Sequence, residues 1–150
     1  MHEIKGNLID LALNGTFDAI AHGCNCFNTM GAGIAKEIKE RIPEACEADQ
    51  KTLRGDIKKL GNFIGVRVNG IIVLNCYTQF RYGKNHEDGN KKPVDYEAIT
   101  LCLRKINHIL PGKSIGLPLI GCGLAGGDWT IVEKIIEKEL KDMVVTIVRL

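Results

Sequence analysis

An aliphatic run from Ser114 to Ile120 is followed by four glycines within seven residues, Gly121 to Gly127, and an apolar-periodic stretch opens at Trp129. Strand, glycine turn and helix in that order commit this part of the chain to a strand-to-helix unit. Such units build sheets covered by helices. An ordinary connection of this kind takes roughly two to six residues and little glycine. The surplus glycine can serve a second purpose, because backbone amides that no side chain obstructs can wrap an anion. A plain connection is the competing reading of the segment taken alone.

The rest of the chain repeats the alternation. Short strands are expected over Glu3 to Lys5 and Asp18 to His22. A helix follows with Ile34, Ala35, Ile38 and Ile42 on one face, stopped by Pro43, and a weaker helix over Ala45 to Leu53. Phe63 to Val68 and Gly70 to Cys76 flank the dipeptide Asn69-Gly70, a strong hairpin signal. A helix from about Asp95, its N-cap, to Leu110 buries Ile99, Cys102, Leu103, Ile106 and Leu110, and Gly112 closes it. After the strand Ser114 to Ile120 come a helix Trp129 to Leu140, with Ile131, Val132, Ile135, Ile136 and Leu140 inward, and a strand Met143 to Val148. The expectation is an α/β fold in three layers, a mixed six-stranded sheet flanked by about four helices, as one domain over 1–150. The polar stretch Thr78 to Lys92 reads as a lid.

Composition excludes several classes. A net charge of +2 argues for no nucleic-acid partner, and Lys58-Lys59 and Lys91-Lys92 read as solvated loop charges. No apolar run approaches the roughly 18 residues of a membrane span. The start, Met1 to Lys5, lacks the apolar core of a signal peptide. A cytoplasmic monomer is expected. The six cysteines fit reduced thiols, and Cys24-Asn25-Cys26 lacks the spacing of a zinc or redox motif, so no metal or cofactor is expected.

A second glycine-rich turn, His22-Gly23-Cys24-Asn25-Cys26 through Gly31-Ala32-Gly33-Ile34-Ala35, also joins a strand to a helix. Two anion-shaped turns at one sheet edge suit a diphosphate. Neither matches a dinucleotide fingerprint, since Lys36 stands where a third small residue is needed, and Gly112-Lys113-Ser114 precedes a strand instead of following one. His22 closes an apolar strand, facing either the sheet edge or the core. The Asn25 amide can serve the turn or a sugar hydroxyl. Gln79, Phe80, Arg81 and Tyr82 offer an amide, aromatic faces and a cation that could cover a ligand, or anchor the lid.

Taken together, Ile4-Lys5-Gly6-Asn7-Leu8, Ala19 to Cys26, Gly31 to Ala35 and Pro118-Leu119-Ile120-Gly121-Cys122-Gly123-Leu124 resemble the macrodomain family of ADP-ribose-binding modules over essentially the whole chain. The pattern is most similar to small stand-alone macrodomains of fungi and phages that dephosphorylate ADP-ribose 1''-phosphate. The resemblance implies that Asn7 and the backbone of Leu8 lie at the adenine, with Asn7 in place of the aspartate most members carry. It implies that Gly31, Ala32, Gly33, Ile34 and Ala35 hold one phosphate and the terminal ribose. The segment Pro118 and Ile120 to Gly126 (Ile120, Gly121, Cys122, Gly123, Leu124, Ala125, Gly126) would hold the other phosphate. His22 and Asn25 would be the catalytic residues, Asn25 contacting the hydroxyls of the terminal ribose and His22 acting as general acid or base at the terminal phosphate. Asp95 is a second candidate to activate water if it is not the helix cap. A related branch removes ADP-ribose from glutamate using a lysine and an aspartate. Gln79 and Ala125 stand at those positions, with Lys84 and Asp128 the nearest substitutes. A binding module without catalysis, and a hydrolase acting on ADP-ribosylated protein or nucleic acid, are the alternatives.

Overall fold

A computed structural model describes residues 1–82 and 93–150. Six strands, β1 (His2–Lys5), β2 (Ala19–Asn25), β3 (Phe63–Val68), β4 (Ile71–Gln79), β5 (Ser114–Leu117) and β6 (Val144–Arg149), form one sheet in the order β1-β6-β5-β2-β4-β3. Every neighbouring pair is parallel except β3 and β4. That hairpin turns at Asn69 and Gly70, both with positive φ (50° and 85°), as the dipeptide predicts.

Five α-helices cover the sheet: α1 (Leu8–Leu13), α2 (Gly33–Arg41), α3 (Pro43–Gln50), α4 (Tyr96–Ile109) and α5 (Trp129–Glu139). A 3₁₀ turn spans Ile57–Lys59. β2 shows how the layers form. Ala19 and Ala21 pack under α4 and α5 with Ile99, Leu103, Val132 and Ile136, whereas Ile20 and Cys24 pack under α1, α2 and α3 with Ile9, Ile38 and Ala45. No described helix is long and apolar enough to cross a membrane.

Several boundaries differ from the sequence expectation, each for a local reason. The fifth helix, α1, is six residues long, too short to show a clear period, and Asn7 starts it by accepting the Asp10 amide at 2.9 Å. Pro43 both ends α2 and occupies the first turn of α3, where its missing N–H costs nothing. β5 stops at Leu117 because Pro118 has no amide to donate. β2 runs on to Asn25 and β4 to Gln79, so Thr78 and Gln79 belong to the sheet and not to a lid. Lys84, Lys91, Lys92 and most of the expected lid lie outside the described residues. On α5 the buried stripe runs through Val132 and Ile136, which leaves Ile131 42% exposed.

The parallel strands end at one edge. From there β2 leads to α2 on one face, and its neighbour β5 leads to α5 on the other. Such a divergence opens a crevice at the carboxyl ends of the two strands.

Candidate functional site

A cleft of about 550 Å³ occupies that crevice. One wall is the loop after β2, residues 26–32 (loop 1), and the other is the loop after β5, residues 118–128 (loop 2).

Loop 1 stands on polar side chains. Asn25 shapes its start: its Oδ1 accepts the Phe27 amide at 2.8 Å and its Nδ2 donates to Thr29 Oγ1 at 2.6 Å. Asn28 has φ 58°, a conformation its short amide tolerates, and three contacts fix it there. It donates to the Thr52 carbonyl at 2.8 Å, accepts Lys59 Nζ at 2.5 Å, and its carbonyl accepts Gln50 Nε2 at 2.7 Å. α2 then begins at Gly33 with Ala32 as its N-cap, no side chain capping it and no acidic residue in its first turn. Its opening amides are therefore unsatisfied from within and border the cleft at Gly33, Ile34 and Ala35, an arrangement that favours an anion.

Loop 2 stands on glycines. The Gly127 amide closes it on the Gly121 carbonyl at 2.8 Å, and Gly126 donates to Gly123 at 3.0 Å. A Cβ on Gly127 would lie 2.4 Å from the Gly121 oxygen, and one on Gly121, at φ 75°, would lie 2.9 Å from Ile99 Cδ1. The amides of Gly121, Gly123, Leu124 and Ala125 donate to no acceptor among the described residues. The first turn of α5 is already served by Asp128, which accepts the Thr130 amide at 2.9 Å. The anion-binding capacity of this side thus lies in the loop amides and not in the helix terminus.

The structure sorts the residues singled out in the sequence. Asn25, Gly31, Ala32, Gly33, Ile34 and Ala35 border the cleft on the loop 1 side. Pro118, Ile120, Gly121, Gly123, Leu124 and Ala125 border it on the loop 2 side. Gln79 and Tyr82 close its end, Gln79 re-aimed by a bulge: Cys24 pairs with Tyr77 but Asn25 with Gln79, which leaves Thr78 as the extra residue.

Others are placed elsewhere. Asn7 caps α1 and donates to Glu37 Oε1 at 3.0 Å, and Leu8 is buried under the sheet. Phe80 packs edge-on against Phe27 at 5.0 Å, and Arg81 is half-buried, its carbonyl accepting Gln79 Nε2 at 2.9 Å. The Cys122 thiol turns back to the Ile120 carbonyl, and Gly126 supports loop 2 from behind. Asp95 is the cap of α4, accepting the Ala98 amide at 2.9 Å.

His22 requires a correction. It lies on the α3 face of β2, fully buried, and Nε2 meets Asn75 Oδ1 at 2.7 Å while Asn75 Nδ2 donates to the Ala45 carbonyl at 2.9 Å. Since Oδ1 only accepts, Nε2 carries the proton. Burial pulls the imidazole pKa down to about 4, against the opposing effect of the Asn75 bond, so the ring is neutral. It reaches the cleft only through Cys24, whose Sγ is 3.8 Å from the ring nitrogens. It is not among the residues that border the cleft, and its contacts with Asn75 and Cys24 lie at the strand end.

Residues the sequence did not single out as ligand contacts also border the cleft: Gly23, Cys24, Thr29, Met30, Leu119 and Asp49. Asp49 was hidden because its helix showed only weak periodicity and its place depends on packing. It is 1% exposed, and the Tyr77 hydroxyl donates to its Oδ1 at 2.7 Å. Burial raises its pKa, partly offset by the Tyr77 bond and the Lys59 charge.

The family model of the Macro domain matches residues 21–136. The chain is 35% identical over 154 residues to an uncharacterized 17.5 kDa protein of Enterobacteria phage T4, covering 97% of this chain and 93% of that one. It is 27% identical over 126 residues to the DNA ADP-ribosyl glycohydrolase of Mycobacterium tuberculosis, covering 81% of this chain but only 34% of the relative. Thermosipho africanus DarTG, solved in complex with ADP-ribose, superposes with a TM-score of 0.72 at 18% identity, over all of this chain and 42% of that one.

Proposed function

The chain belongs to the Macro domain family, and we propose that it binds ADP-ribose and hydrolyses the phosphate of ADP-ribose 1''-phosphate. The observation that carries the binding reading is the pair of amide-rich loops facing each other across one cleft, with no lysine or arginine bordering it among the described residues. A site of that kind holds a diphosphate through backbone N–H groups and the α2 terminus. An anion there gains about 0.3–1 kcal/mol from the helix, and up to about 2 when partly buried. In this reading the adenosine occupies the β5 side and the terminal ribose the β4 side, where Asn25, Gln79 and Tyr82 border the cleft.

Phosphate release adds water to phosphorus and breaks the bond to O1'', with ADP-ribose as the leaving group. The amides stabilise the charge that builds on the transferring phosphoryl oxygens. His22 contributes by holding the strand end that carries Cys24 and Asn25.

A second reading rests on the mycobacterial relative, which acts on ADP-ribosylated DNA. Against it, Gln79 and Ala125 stand where the related glutamate-cleaving branch carries its lysine and aspartate, and neither side chain can serve as base or acid. The experiment incubates the protein, without added metal, with ADP-ribose 1''-phosphate and separately with an ADP-ribosylated oligonucleotide. Phosphate release from the first, with the second intact, is expected. Release of ADP-ribose from the oligonucleotide alone would reverse the assignment. A rise in Tm with ADP-ribose but no turnover of either would leave a binding module.

A further inference from the structure

Asp49 is the one carboxylate that borders the cleft among the described residues, and no cationic side chain borders it with Asp49. Two contacts from different elements hold it. The Tyr77 hydroxyl on β4 donates to Oδ1 at 2.7 Å, and Thr52 Oγ1 donates to the Asp49 carbonyl at 2.6 Å. The nearest ammonium, Lys59, is committed to Asn28 Oδ1 at 2.5 Å and Thr52 Oγ1 at 2.9 Å.

A carboxylate kept in such a place is costly unless something offers it hydrogen bonds. It also selects what can lie next to it. Two like charges a few ångströms apart repel, and more strongly in a shielded cleft than in water. The phosphates therefore belong at the amides of loops 1 and 2, and the Asp49 end takes a neutral group with protons to donate. Asp49 sits on α3 and bonds to β4, which places it on the β4 side, away from loop 2 on β5.

We infer that Asp49 reads the sugar: its carboxylate accepts a hydrogen bond from a hydroxyl of the terminal ribose and thereby favours ligands with a second ribose over plain nucleoside diphosphates. The inference rests on the ADP-ribose reading and on the orientation given above. It assigns to α3 a specificity role beside that of the loop amides, which donate, whereas a hydroxyl proton needs an acceptor. Tyr77 is the positioning residue, fixing which oxygen lone pairs remain for the ligand.

The test measures Kd by calorimetry for ADP-ribose and for ADP, with wild type, Asp49→Asn and Tyr77→Phe. A hydrogen bond to a charged group corresponds to roughly a 10- to 100-fold change in Kd. Asp49→Asn should weaken ADP-ribose by that factor and ADP by less than about threefold, so the preference for the longer ligand collapses. Tyr77→Phe keeps the carboxylate but frees it, and should produce a smaller loss with the same selectivity. This second variant decides the matter if Asp49→Asn does not fold. Equal losses for both ligands, or no loss for either, would overturn the inference. If wild type binds neither ligand, the ADP-ribose reading itself fails and takes the inference with it.

Discussion

Loop 1 and loop 2 face the same cleft, yet one is held by side chains and the other by their absence. Under loop 1, Lys59, Thr52, Tyr77 and Asp49 form a chain of largely shielded hydrogen bonds that ends on Asn28. Under loop 2, Gly121 and Gly127 let the backbone fold tightly upon itself against Ile99 and Val94. Each wall is therefore vulnerable in its own way. A wall built on a polar network fails when a partner is removed or its charge changes. A wall built on glycine fails when a methyl group is added, and is indifferent to pH.

Breaking the glycine wall should cost the most. Gly127→Ala puts a carbon 2.4 Å from a backbone oxygen, which no side-chain rotation can relieve. Overpacking of this severity costs about 3 kcal/mol or more. Urea denaturation should show that loss, and calorimetry at a temperature where the variant is still folded should detect no ADP-ribose binding. If the variant binds ADP-ribose normally, the amides of loop 2 are not the phosphate site.

Acid should weaken the strand end that leads into loop 1. His22 has a folded pKa of about 4 against 6.5 when unfolded, so between those values the unfolded chain binds the extra proton. The stability that His22 contributes is complete above pH 6.5 and is lost as the pH falls to about 4, a span equivalent to about 3 kcal/mol. Urea midpoints measured from pH 7 to pH 4 should fall accordingly, and His22→Gln should flatten the curve. A wild-type curve with no slope in that window would mean that His22 is not the buried neutral base described.

The face of His22 was legible in the sequence, whereas the position of Asp49 was not. Alternation along Ile20, His22 and Cys24 puts the imidazole on the same side as two apolar residues, which argues for the core over the sheet edge. Most of the fold was equally readable, because hydrophobic period and turn residues fixed the strands, the Asn69-Gly70 hairpin and both glycine loops. Features that depend on distant packing were not. The bulge at Thr78 exists only in the register between β2 and β4, and Asp49 meets Tyr77 across 28 residues of sequence. The overextended reading of β5 had a simpler source, since Pro118 sits inside an aliphatic run that masks the strand end.

A smaller effect tests the polar wall directly. Lys59→Met keeps the stem of the side chain but removes the ammonium from Asn28 and Thr52. Losing charge-assisted bonds at a site only 9% exposed should cost about 2 kcal/mol. ADP-ribose binding should weaken with it, because Asn28 at φ 58° loses the contact that holds loop 1 in place. A stable variant with unchanged affinity would show that Thr52 and Gln50 suffice for the loop.

The smallest effect separates loop 2 from the helix that follows it. Asp128 caps α5 through the Thr130 amide, and its own amide donates to the Tyr96 hydroxyl at 3.0 Å. Asp128→Ala removes the cap and should lower stability by about 1 kcal/mol. The backbone bond to Tyr96 and the Gly121–Gly127 closure do not involve the carboxylate, so the loop amides keep their positions. ADP-ribose affinity should therefore change little, and should rise slightly if it changes at all, because a negative charge has left the vicinity of the diphosphate. A large drop in affinity would mean that the helix cap, and not the glycine framework, sets the geometry of loop 2, and the contrast between the two walls would no longer hold.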